Sequence, residues 1–242
     1  MRKILALVAL LMIPATVLLA QDGATMNSNA VPPPIVKPSR DFVMLQLNYV
    51  NWIKKPDSIN TKAFGYGFNG FICYDFPIRR SNLSFAAGLG INVNVVYLDL
   101  QQITNTDTAA AYNQARFLPN PVNDSVNFKR YKFVTTYLQA PFELRYFSNM
   151  KNRNKGFKAA IGMQIGTLLG SDAKSLVSIG GTNVKYKVNT KRYVSPWNFA
   201  ATARVGWGNF SIFGSYNLTK VFKVNDGPAI TPMAVGICLT GL

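Results

Sequence analysis

Residues 63–77 read AFGYGFNGFICYDFP. Phe64, Tyr66, Phe68, Ile72, Tyr74 and Phe76 fall two apart, and only Gly70 misses its turn. A step of two is the period of a strand, whose successive side chains point to opposite faces. A helix gathers its apolar residues at steps of three and four. The opposite face carries Gly65, Gly67, Asn69, Cys73 and Asp75, small or polar and nearly uncharged. The fold therefore turns on what kind of sheet has one oily face and one face of glycines and amides.

The same period returns along the chain. It predicts strands over 42–51, 63–77, 83–98, 132–147, 157–169, 196–207, 209–219 and 230–241. The third is the most regular: Leu83, Phe85, Leu89, Ile91, Val93, Val95 and Tyr97 oppose Ser84, Gly88, Gly90, Asn92 and Asn94. A strand tilted across a bilayer needs about 9–11 residues. The connections alternate between short, as at Gly208, and long, as at 99–131 and 170–195. This pattern predicts an all-β fold, an eight-stranded antiparallel transmembrane β-barrel of up-and-down order. Its short turns face the periplasm and its long loops the exterior.

A soluble, lipocalin-like lipid-binding barrel is the rival. Its apolar face would line a cavity, and its outer face would be rich in Lys, Glu, Asp and Arg. Here the non-apolar face is Gly, Ala, Ser, Thr, Asn and Gln, which suits a narrow, crowded interior. The oily face then meets lipid. Aromatic residues near strand ends agree: Tyr74, Phe76, Tyr146, Phe157 and Trp207 at the periplasmic interface, Tyr97 and Trp197 at the outer one.

Residues 1–20, MRKILALVALLMIPATVLLA, have the basic start and apolar run of a signal peptide, with cleavage expected after Ala20. The proline-rich stretch 21–40 is expected to be a periplasmic tether, and 41–242 the barrel. The expected location is the outer membrane. Three features carry a resemblance: YLQAPFELRYF at 137–147 with its Tyr137-x-x-x-Pro141 spacing, FAAGLGINVNVVY at 85–97, and a leader ending in Ala20-Gln21. On these the chain resembles the PorT-like outer-membrane β-barrels, a small eight-stranded family of Bacteroidetes-type bacteria. The resemblance covers most of 41–242. It implies an outer-membrane location and a link to a secretion or motility assembly, but no biochemical activity.

The chain contains no histidine. Acid–base chemistry near neutral pH most often falls to that residue, and barrel hydrolases use it, so no enzyme is expected. With two cysteines and no histidine, neither a metal site nor a cofactor is expected. Cys73 and Cys238 should face inward with one strand between them, about 9–10 Å apart and too far for a disulfide. Pro141 lacks a ladder donor, which predicts a bulge there.

Asp75, Glu143, Arg145, Lys158 and Arg204 all fall on the inward face near the periplasmic strand ends. Buried charges are tolerated when paired, so a charge network closing the lower lumen is expected. A narrow, porin-like ion or proton path is the alternative. The chain has 26 Lys and Arg against 10 Asp and Glu. Lys54, Lys55, Lys62, Lys129, Arg130, Lys185, Lys187, Lys191, Arg192, Lys220 and Lys223 are assigned to outer loops, Lys185 to Arg192 being the densest group. On membrane-facing rims the expected partners are outer-membrane lipid and lipopolysaccharide phosphates rather than nucleic acid. Arg79, Arg80, Lys151, Arg153 and Lys155 in periplasmic turns could meet an envelope protein. The expected role is therefore non-enzymatic, structural or interactive.

Overall fold

A strand crossing lipid must find every backbone partner within its own sheet, and a closed ring achieves this. The computed structural model describes residues 43–62, 64–78, 81–99, 101–105, 115–119, 126–149, 155–179 and 181–241. The expected leader at 1–20 and tether at 21–40 lie outside these residues, as do Arg79, Arg80, Lys151 and Arg153. The described residues form eleven strands: β1 Val43–Lys54, β2 Tyr66–Pro77, β3 Leu83–Leu98, β4 Gln101–Asn105, β5 Ala115–Pro119, β6 Val126–Phe147, β7 Phe157–Ile179, β8 Thr182–Asn189, β9 Trp197–Trp207, β10 Phe210–Asn217 and β11 Thr231–Thr240. Eight of them, β1-β2-β3-β6-β7-β9-β10-β11, pair antiparallel in chain order, and β11 returns to β1 to close the barrel. The expected eight-stranded antiparallel fold is thus observed. The two-residue link between β9 and β10 turns on Gly208, whose φ of 61° suits a residue without a Cβ.

The long connections are more ordered than the sequence pattern implied. β6 and β7 run past their expected ends and pair from Val126↔Ile179 down to Phe147↔Lys158. The stretch 170–195, expected to be a loop, instead completes β7 and adds β8, which pairs with β7 from Asp172↔Asn189 to Ile179↔Thr182. Part of 99–131 forms the β4–β5 hairpin. The bulge expected at Pro141 is absent: Pro141 pairs in register with Gln164, and the shift between β6 and β7 lies at Thr136/Tyr137. On its β3 side, pairing lapses between Ala87↔Phe142 and Gly90↔Gln139 without a change of register. The missing donor is absorbed by a local gap in one ladder.

The outward faces are exposed and apolar: Leu47, Ile72, Leu89, Ile161, Val205, Ile212 and Ile237 are among them. Trp197 and Trp207, both exposed, mark the two ends of β9. Ten steps at about 3.3 Å, tilted near 45°, put them about 23 Å apart along the membrane normal, close to the usual apolar band of about 25 Å.

The inward faces fill the lumen in layers. Along β2 the inward order is Asp75, Cys73, Phe71, Asn69. Phe71 joins Met44, Phe213, Cys73 and Cys238 in an apolar layer that the glycine-and-amide reading overlooked. Both cysteines are free and buried. Glycines let neighbouring backbones close in on this narrow interior. A Cβ on Gly162 would strike the Phe142 carbonyl oxygen and lie 2.9 Å from Glu143 Cα. One on Gly214 would meet nothing nearer than the Ala234 carbonyl oxygen at 4.0 Å. Gly162→Ala is therefore expected to destabilise the barrel by about 1–3 kcal/mol, and Gly214→Ala to change little. Urea midpoints of the refolded variants check both; equal midpoints would refute the packing argument.

Candidate functional site

Two features stand out: the filled lumen and the outward sheet above it. At the periplasmic end, β2 turns Asp75 inward, β6 Glu143 and Arg145, β7 Lys158 and β9 Arg204. Arg145 donates from Nη1 to Asp75 Oδ1 and from Nε to Glu143 Oε2, both at 2.8 Å. Arg204 Nη2 reaches the same Glu143 oxygen at 2.8 Å, and its Nη1 lies 3.7 Å from Cys238 Sγ. Asp75, Arg145, Glu143 and Arg204 therefore form one ion-paired chain. Asp75, Arg145 and Glu143 are at most 3% exposed and Arg204 is 6% exposed. Lys158 from β7 is also buried; its Nζ donates to Thr240 Oγ1 at 3.3 Å and lies 5.7 Å from the Phe147 ring centroid. All five predicted lumen residues thus face inward at one level.

Above the apolar layer the lumen holds a run of amides. Asn94 Nδ2 donates to Asn92 Oδ1, Asn92 Nδ2 to Asn69 Oδ1, and Asn69 Nδ2 to Gln46 Oε1, at 2.8, 2.6 and 2.8 Å. Gln139 Nε2 donates to Asn198 Oδ1 at 3.0 Å on the far wall. Among the described residues, cavities at this level measure about 20 Å³ beside Trp52 and Tyr137 and about 10 Å³ beside Asn48 and Gln164. Each has room for about one or two waters.

Higher still, the polarity of the strands reverses. Within the membrane, β6 turns Leu138, Phe142 and Leu144 outward and Gln139, Glu143 and Arg145 inward. Past Val134 the same alternation buries Tyr131 and Phe133 and turns Arg130 and Lys132 outward. β1 reverses in the same way: Gln46 and Asn48 face inward below, Val50 and Trp52 above. The inward apolar residues pack into a cap. Trp52, Phe117, Phe133 and Phe222 touch ring to ring at centroid distances of 5.7–6.2 Å. The β4–β5 hairpin is tied down by Tyr131, whose hydroxyl accepts from the Ile103 amide at 2.8 Å and donates to the Ile103 carbonyl at 2.9 Å. Burial pushes the Tyr131 phenol pKa up, against the opposing pull of the hydrogen bond it accepts from the Ile103 amide, which favours the phenolate.

The basic residues expected in outer loops divide by position. Lys185 and Lys187 lie on β8, a strand, and Lys187 Nζ is 3.2 Å from Asp172 Oδ2. Lys191 Nζ donates to the Leu169 carbonyl at 3.0 Å, and Lys223 Nζ to the Arg192 carbonyl at 2.6 Å. Lys55 Nζ bonds the Ile59 carbonyl. Lys62 pairs loosely with Asp99 at 3.9 Å. Several cations thus hold loops together rather than wait for a ligand. Sequence reading did not bring Lys132 and Lys174 into the basic group. The register does, because Lys132, Lys174 and Lys187 are direct cross-strand neighbours. The repeated Arg130-Tyr131-Lys132 and Lys185-Tyr186-Lys187 triplets, with cations two apart, were the available signal.

A closed eight-stranded ring with lipid-facing apolar residues and a polar, ion-paired interior defines a transmembrane barrel of the outer-membrane class. The chain belongs to the outer membrane protein beta-barrel domain family, whose model matches residues 42–223. That family places the protein in the outer membrane. No curated protein matches the sequence. Among solved structures, the chain is similar to the crystal structure of Ail, the attachment invasion locus protein of Yersinia pestis. The identity is 12% and the TM-score 0.36, over 84% of this chain and 99% of that one.

Proposed function

We propose that the protein is a non-conducting, non-enzymatic envelope barrel that acts through its extracellular surface. The filling of the lumen is the main support. An ion-paired layer, an apolar layer, an amide layer and an aromatic cap follow one another along the axis. The cavities described between the last two are about 20 and 10 Å³. A hydrated ion path needs connected space, and an eight-stranded barrel is just wide enough for its own side chains. The absence of histidine from the sequence removes the usual acid–base residue of barrel hydrolases. The extracellular ends of β6, β7 and β8 form a firm platform for contact with lipid or protein. Association with a secretion or motility assembly rests on the PorT-like resemblance alone; cross-linking in intact envelopes would identify such a neighbour.

Recording in planar bilayers tests the sealed lumen. The expected result is a silent membrane for the wild-type protein. Steady conductance that changes with Glu143→Gln would overturn the proposal, because current would then be passing the ion-paired layer.

A further inference from the structure

We infer that the outward face of the β6–β7–β8 sheet binds the phosphate groups of an acylated, phosphorylated saccharide of the outer leaflet. A cavity of about 450 Å³ opens on this face. Its outward-facing lining is Arg130 and Lys132 from β6, Lys174 and Leu176 from β7, and Lys185 and Lys187 from β8. Five of these six residues are cationic.

The register makes the grouping unusual. Lys132 pairs with Lys174, and Lys174 with Lys187, so three ammonium groups stand in one row across three strands. The next row on the same face is Arg130, Leu176 and Lys185. Like charges directly opposite one another destabilise a sheet. A sequence that violates a local rule commonly does so at a site with a function. Asp172 offsets part of this charge through Lys187, at 3.2 Å. Two outer strands about 4.8 Å either side of a central one give the row a width of about 10 Å. That width matches several phosphate oxygens better than a single carboxylate.

Position favours a lipid headgroup as the source of the phosphate. The cations continue the strand faces that carry the lipid-facing Leu138 on β6 and Leu169 on β7. Lys174 lies five residues beyond Leu169, about 16 Å along the strand and about 12 Å along the normal at the usual tilt. Lysine and arginine stems lie over apolar surface while their heads seek charge, so they can reach down to headgroups from this height. The face looks sideways over the leaflet, away from the axis of the barrel. Lys191 and Lys223 donate to backbone carbonyls and do not belong to the site.

The full chain in phosphatidylcholine nanodiscs tests the inference. The nanodiscs are doped with a bis-phosphorylated, acylated glucosamine disaccharide or with the same lipid stripped of phosphate, and native mass spectrometry counts what the protein retains. The wild type is expected to keep the phosphorylated lipid and release the stripped one. Lys132→Gln/Lys174→Gln/Lys187→Gln should weaken retention roughly a hundredfold, while Lys191→Gln/Lys223→Gln should leave it unchanged. A heat-dependent shift in electrophoretic mobility verifies folding, and Lys174→Gln alone serves if the triple variant does not fold. Equal retention by the triple variant, equal retention of the stripped lipid, or full competition by inorganic phosphate would each overturn the inference. It rests on the placement in the membrane and not on the sealed lumen: conductance would leave it standing, and lost glycolipid binding would leave the lumen sealed.

Discussion

Replacing Glu143 by glutamine is expected to lower the unfolding free energy of the barrel by about 3–5 kcal/mol. The carboxylate oxygen Oε2 receives both Arg145 Nε and Arg204 Nη2 at 2.8 Å. Glutamine keeps the shape and an acceptor oxygen but removes the charge, leaving Asp75, paired with Arg145, as the carboxylate of a layer that also holds Arg204 and Lys158. Burying charge is tolerable when it is paired, and losing one partner leaves the desolvation penalty without its compensation. Urea unfolding in phosphatidylcholine vesicles, followed by emission from Trp52, Trp197 and Trp207, gives the free energy by linear extrapolation. The double variant Glu143→Gln/Arg204→Met leaves Arg145 and Lys158 with Asp75, which restores the wild-type excess of one cation, and should be less destabilised than the single variant. A double variant no better than the single would show that charge balance does not hold this layer together. A neutral single variant would show that water or ions reach it.

The membrane-embedded part of this fold was legible because lipid and lumen impose opposite demands on alternate residues. β3 was located to the residue, at Leu83–Leu98, since its alternation of apolar with small or polar residues runs as far as Val95. The inward positions of Asp75, Glu143, Arg145, Lys158 and Arg204 followed from parity alone. Parity also placed Phe71 inside, but the run of glycines and amides around it masked a filler for the lumen. The extensions of β6 and β7 were missed for a physical reason. Beyond the bilayer the inward residues become apolar and the outward ones charged, so the template of oily-out strands fails just where the strands leave the membrane. Tyr131 and Phe133 still alternate with Arg130 and Lys132, but with the sense reversed. Strand pairing, which the sequence does not display, is what sets Lys132, Lys174 and Lys187 in one row. The bulge expected at Pro141 failed because a single missing donor can be left as a gap in one ladder while the other keeps its register.

The outward apolar faces set the barrel across the bilayer, and a depth series tests that placement. Ile161 is 65% exposed and pairs with Ala203, one residue from the middle of the strand bounded by Trp197 and Trp207. Arginine there must carry its guanidinium into hydrocarbon or distort the bilayer around it. Ile161→Arg is expected to cost about 2–4 kcal/mol in vesicles. Phe157 is four residues lower on the same strand and pairs with Trp207 at the periplasmic edge. Phe157→Arg should lose only about 0–1 kcal/mol to the position of its charge, since headgroups and water can solvate the cation. Unfolding of both variants in the same vesicles separates depth from residue type. A soluble carrier would give a different result, because an exposed isoleucine facing water tolerates arginine with almost no loss. Ile161→Arg as stable as the wild type would therefore place this face against water, and with it would go the lipid-facing reading of every outward residue from Leu47 to Ile237.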